Sequence, residues 1–104
     1  MLDNKRISEL KDEIGEEDFA EVLEMFLGEM TDQLGKFDMN ATPERVQASL
    51  HALKGAALNV GFQAFADLCA TAETFANEGL VQETLAQELN DTFKQSKILI
   101  NETA

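Results

Sequence analysis

The residues best placed to do chemistry in this chain are His51, Lys54 at i+3, Gly55 at i+4 and Gly61 six residues further on. His51 is the only histidine, and it lies in a 21-residue window, Val46 to Ala66, that contains Lys54 as its one base and no Asp or Glu. The whole chain carries 20 acids in 104 residues, so about four would fall in such a window by chance. An imidazole that receives a phosphoryl group, or that meets an acidic site on another protein, benefits from such clearance, because nearby carboxylates repel an incoming anion. A core histidine has no such need.

Helical geometry positions these groups. At 100° per residue, Val46, Leu50, Leu53, Ala57 and Val60 cluster within roughly 80° and define a core direction. His51 points roughly 140° away from it, toward solvent. Lys54 and Gly55 are then its neighbours one turn along. Ala48, Ala52 and Ala56 also face outward, where surfaces usually carry Lys and Glu. A mid-helix glycine costs about 1 kcal/mol relative to alanine, so Gly55 needs a reason. Close approach by another molecule is one reason, and tight helix packing is the other.

The remaining chain reads as all-α, with one proline and no alternating β-branched runs. A short first helix is expected over Asp3 to Ile14, stopped by Gly15. A second spans about Glu17 to Lys36, with a wide stripe of Phe19, Val22, Leu23, Phe26, Leu27, Met30 and Leu34. Phe37 to Ala41 is a loop, and Thr42-Pro43-Glu44 starts the third helix with a capping hydroxyl, a proline and an acid. That helix carries His51 and stops at Gly61. A fourth covers Phe62 to Asn77, with Phe65, Leu68, Cys69, Ala72, Phe75 and Ala76 at core spacing, and Gly79 ends it. The fifth, about Val81 to Asn101, should bury Val81, Leu85, Leu89, Phe93 and Ile100. The expected architecture is a single domain over residues 1–104, an antiparallel up-down four-helix bundle with a short extra N-terminal helix.

Composition narrows the function. The hydrophobic fraction of 44% supports a modest globular core despite a net charge of −12. That charge disfavours nucleic acid and anionic membranes, which demand clustered bases. With one histidine and one cysteine, on different helices, no metal site is expected, and Cys69 falls on an apolar stripe. No phosphate-binding glycine loop of an ATP-using enzyme is present. Hydrolase-type nucleophilic catalysis would need a further base, and there is no other histidine. No apolar run is long enough to span a bilayer and no signal peptide is evident, so the expected location is the cytoplasm.

The run His51-Ala-Leu-Lys54-Gly55-Ala-Ala-Leu-Asn-Val-Gly61 resembles the signature of histidine-containing phosphotransfer (HPt) domains of bacterial phosphorelays, His-x-x-Lys-Gly with a further glycine six residues on. Phe62 to Glu73, with Cys69 and Glu73, is similar to that family's next helix. Ile14-Gly15-Glu16 and Phe26-Leu27-Gly28-Glu29-Met30 resemble stand-alone members. The resemblance implies a carrier without kinase activity of its own. His51 would accept a phosphoryl group on Nε2 from a receiver-domain phosphoaspartate and pass it to another receiver. Lys54 would stabilise the phosphoryl oxygens, and Gln63 would hydrogen-bond the phosphate or the imidazole. Partners would be response-regulator receiver domains and a histidine kinase of the hybrid type. Mg²⁺ would come from the receiver, with no cofactor held by this chain, which would act as a monomer. Two other readings fit the sequence: a phosphoacceptor domain excised from a hybrid or chemotaxis-type kinase, and a non-catalytic helical adaptor. The initial Met and the end just past the last helix favour a complete chain.

Overall fold

Local capping signals divide the chain much as its residue pattern demands. The computed structural model describes residues 1–103, leaving Ala104 of the expected 1–104 domain outside them. Among the described residues there are five α-helices and no strand: α1 (Asn4–Ile14), α2 (Glu16–Gly35), α3 (Pro43–Asn59), α4 (Gln63–Asn77) and α5 (Leu85–Thr103). Asp3 caps α1 by accepting from the Arg6 amide at 3.2 Å, and Gly15 ends it at φ +92°. Glu16, Glu17 and Asp18 then fill the first turn of α2, where the helix dipole favours negative charge. Thr42 Oγ1 accepts from the Arg45 amide at 3.3 Å and Pro43 opens α3.

Both ends of the α3–α4 pair are closed by the same device. At Gly61, φ +74°, the Phe62 amide donates to Ala57 O (2.9 Å) and the Gly61 amide to Leu58 O (3.3 Å). At Gly79, φ +82°, the Leu80 amide donates to Phe75 O and the Gly79 amide to Ala76 O, each at 2.9 Å. These are Schellman stops, in which a left-handed glycine lets the following amides satisfy the last carbonyls.

Helices α2, α3 and α5, of 17 to 20 residues, are about 25–30 Å long. They exceed the 21 Å short dimensions of the molecule, whose long dimension is 43 Å. The α3–α4 contact is the most extensive. Buried Ala57 on α3 and Ala66, Cys69, Ala72 and Ala76 on α4 allow those backbones to approach closely. Phe93 of α5 packs edge-on to Phe65 and tilted against Phe62, with ring centroids at 6.0 and 6.2 Å. Met30, Leu50, Leu53, Leu89 and Ile100 complete the fully buried centre.

The last helix begins four residues later than its apolar pattern suggests. The Gly79 stop directs the chain outward, and Thr84 engages Glu88 (Oγ1 to Oε1 3.3 Å) one turn before the helix is under way. Val81 is therefore half-buried, packed against the core from an irregular segment. Phe75, expected inside, is 36% exposed, because its place three residues before the helix cap sets it beside Leu80, itself 55% exposed. No helix among the described residues is long and apolar enough to cross a membrane.

Candidate functional site

The inner stripe of α3 is buried as its spacing requires: Val46, Leu50, Leu53, Ala57 and Val60 are each at most 1% exposed. This fixes the rotation of α3 and turns His51 outward, with its side chain 74% exposed. Ala48, Ala52 and Gly55 are exposed with it, whereas Ala56 is half-buried against the core. Gly55 resolves the choice between access and packing. A Cβ built there meets nothing within 4 Å, so no neighbouring helix requires its absence.

The structure brings one further residue to this face. Glu73 of α4 lies across the seam with one carboxylate oxygen 3.5 Å from His51 Nδ1 and the other 3.1 Å from Lys54 Nζ. The Glu73 side chain is only 15% exposed, and that of Lys54 is 27%. Glu73 Oε1 accepts no hydrogen bond of good angular geometry, so its partner is the Lys54 ammonium through charge rather than direction. The absence of acids from Val46 to Ala66 is thus a property of the chain and not of the space around His51. A carboxylate does stand beside the imidazole, with its charge offset by Lys54. Spacing along α3 could not show this, since Glu73 is 22 residues from His51 and reaches it only because α3 and α4 pack so closely. Glu73 marked the family-like following helix, but its role lay in tertiary packing. Glu44, Gln47 and Ala48 join His51 and Glu73 in lining a shallow hollow on this face.

The other expected residues fall into two groups. Gly61 is not at the imidazole; its part is to end α3 and to seat the N-terminal segment, with the Asp3 amide donating to Gly61 O at 2.8 Å. Gln63 donates through Nε2 to Asp67 Oδ1 at 2.8 Å, which commits its amide to α4 rather than to His51. Cys69 is fully buried one turn before Glu73. Burial, with a smaller contribution from the Glu73 charge and against the pull of Lys54, pushes its thiol up to about 12. It stays protonated and unreactive at neutral pH.

The site is therefore a solvent-facing imidazole whose inner nitrogen faces a carboxylate, with an ammonium on that same carboxylate and open space beside the ring. Such a group can attack an electrophile carried by another macromolecule, since the imidazole side chain is 74% exposed and only its Nδ1 faces a charged neighbour, Glu73 at 3.5 Å. A search of curated proteins and a search of solved structures returned no match. A scan against protein families matched residues 21–98, three quarters of the chain, to the Hpt domain. Hpt domains are helical carriers of histidine phosphotransfer in phosphorelays, where they exchange with receiver domains and histidine kinases. With that match spanning His51, Lys54 and Glu73, the chain belongs to the Hpt domain family.

Proposed function

We propose that this protein is a single-domain phosphorelay intermediate that takes a phosphoryl group onto His51 from the phosphoaspartate of one receiver and delivers it to the aspartate of another. The observation that carries this reading is the Glu73 carboxylate shared between His51 Nδ1 and Lys54 Nζ. A carboxylate at Nδ1 favours the tautomer with its proton there, leaving the Nε2 lone pair free to attack. An N–P bond forms at Nε2 while the P–O bond to the aspartyl carboxylate breaks, and that carboxylate leaves with the bonding electrons. The ring becomes a phosphoimidazolium whose Nδ1 proton and positive charge face Glu73. Delivery is the reverse step on a second receiver. Mg²⁺ belongs to the receiver and not to this chain.

Lys54 is the group placed to meet the phosphoryl oxygens, moving from Glu73 as negative charge arrives on the imidazole. Lys54→Ala should slow transfer roughly tenfold to a hundredfold. Because its partner Glu73 is largely buried, the same change should also lower stability by about 1–2 kcal/mol. Transfer rates and melting curves on one preparation check both effects, and an unchanged rate would remove lysine from the mechanism.

Gly55 keeps the approach to the ring open. Gly55→Ala should raise stability by up to about 1 kcal/mol through helix propensity while reducing transfer, and Gly55→Gln should reduce it further. A lower melting temperature with normal transfer by the folded fraction would show that the glycine serves packing.

The short connections between α2 and α5 favour successive reversals of direction, hence an antiparallel up-down bundle preceded by α1. We place the protein in the cytoplasm as a monomer, with a hybrid kinase upstream and no kinase activity of its own. The test is incubation with phosphorylated receiver domains. Acid-labile label should move onto the chain, whereas a silent helical adaptor would acquire none.

A further inference from the structure

We infer that Leu58 is the apolar anchor by which this protein selects its receiver partner, inserting into an apolar recess about 10 Å from that partner's acceptor aspartate. This inference rests on the proposed phosphorelay function. Leu58 lies seven residues after His51 on the same helix, so it is displaced by about 10 Å along α3 and only roughly 20° in azimuth. It therefore stands on the His51 face, beyond Ala52 and Gly55, and is 46% exposed. The rest of that exposed stripe is small or polar, which leaves Leu58 as its one large apolar projection.

Phosphoryl transfer requires the partner's aspartate to come within bonding range of Nε2. A standard interface covers about 800 Å² per partner, a patch of roughly 16 Å radius. Leu58 falls inside any such footprint centred on His51. A leucine in that position is buried when the cognate receiver docks, and a receiver without an apolar recess there is disfavoured because it leaves the side chain mismatched.

The position of Leu58 is also braced. Its carbonyl accepts from the Gly61 amide, and Gly61 O accepts from the Asp3 amide at 2.8 Å. Arg6 Nε donates to Asn59 O at 3.0 Å, and the Ala64 amide donates to Met1 O at 3.4 Å. The N-terminal segment is thereby tied to the α3–α4 corner, where Met1 adds a second exposed apolar side chain, 63% accessible. That segment precedes residues 21–98, so this corner is furnished partly by residues outside the Hpt match.

The test uses the whole protein and two phosphodonors: phosphoramidate, which needs no docking surface, and the receiver domain that transfers fastest in a screen of the source organism's receivers. Leu58→Ser should raise the KM for the receiver at least tenfold with little change in kcat, while phosphoramidate labels His51 at the wild-type rate. Leu58→Met should restore the KM. An unchanged KM in Leu58→Ser would overturn the anchor and leave the phosphorelay function standing. Failure of every receiver to label the wild-type chain would instead overturn the phosphorelay function, and the anchor with it.

Discussion

Gly61→Ala should lower the melting temperature by roughly 10–20 °C, the largest stability loss expected from any single-methyl change in this protein. Two costs combine there. Gly61 sits at φ +74°, which an L-residue occupies at a penalty of about 1–2 kcal/mol. A Cβ at that position would also stand 2.8 Å from Ile7 Cγ1 and 2.9 Å from the Asp3 carbonyl oxygen. The latter is backbone, so the N-terminal segment must shift and its hydrogen bond to Gly61 O must weaken. The sum is about 2–4 kcal/mol. Gly79→Ala is the control: it closes α4 with the same Schellman geometry at φ +82°, but no atom lies within 4 Å of the added carbon, so only the strain remains. Thermal melting of the two variants side by side checks the account. Equal losses would mean that the contact with Ile7 and Asp3 is unimportant.

The difference between these glycines shows where sequence reading stops. Both were recognisable as helix stops, because a glycine just past an apolar period signals the left-handed cap. That Gly61 also receives the N-terminal segment could not be read, since Asp3 is far away in the chain and the contact belongs to the assembled fold. The same division holds at the candidate site. The rotation of α3 followed from five apolar residues at helical spacing, and with it the exposure of His51 and Gly55. Glu73 reaches the imidazole through the close α3–α4 packing that buried Ala66, Cys69, Ala72 and Ala76 permit, a tertiary effect without a one-helix spacing. Phe75 and Val81 were misplaced for a related reason. Period alone put them in the core, whereas the Gly79 stop and the late start of α5 leave them at the surface or half-buried.

His51→Gln carries the largest functional effect. The side chain is 74% exposed and Glu73 keeps Lys54 as its partner, so stability should change by less than about 0.5 kcal/mol. Phosphoryl acceptance should fall to nothing, because glutamine supplies no nucleophilic ring nitrogen and the chain has no second histidine. Folding and function are therefore separable at this one position, which a circular dichroism spectrum recorded beside the transfer assay will show.

The most direct measurement of the central claim is the location of the phosphate after transfer from a phosphorylated receiver, read by tandem mass spectrometry at neutral or alkaline pH. In the wild-type chain it should lie on the peptide containing His51, vanish on brief acid treatment, and be absent from His51→Gln. Label that persists in the His51→Gln variant, or an acid-stable phosphate on any serine or threonine in place of His51, would contradict the account.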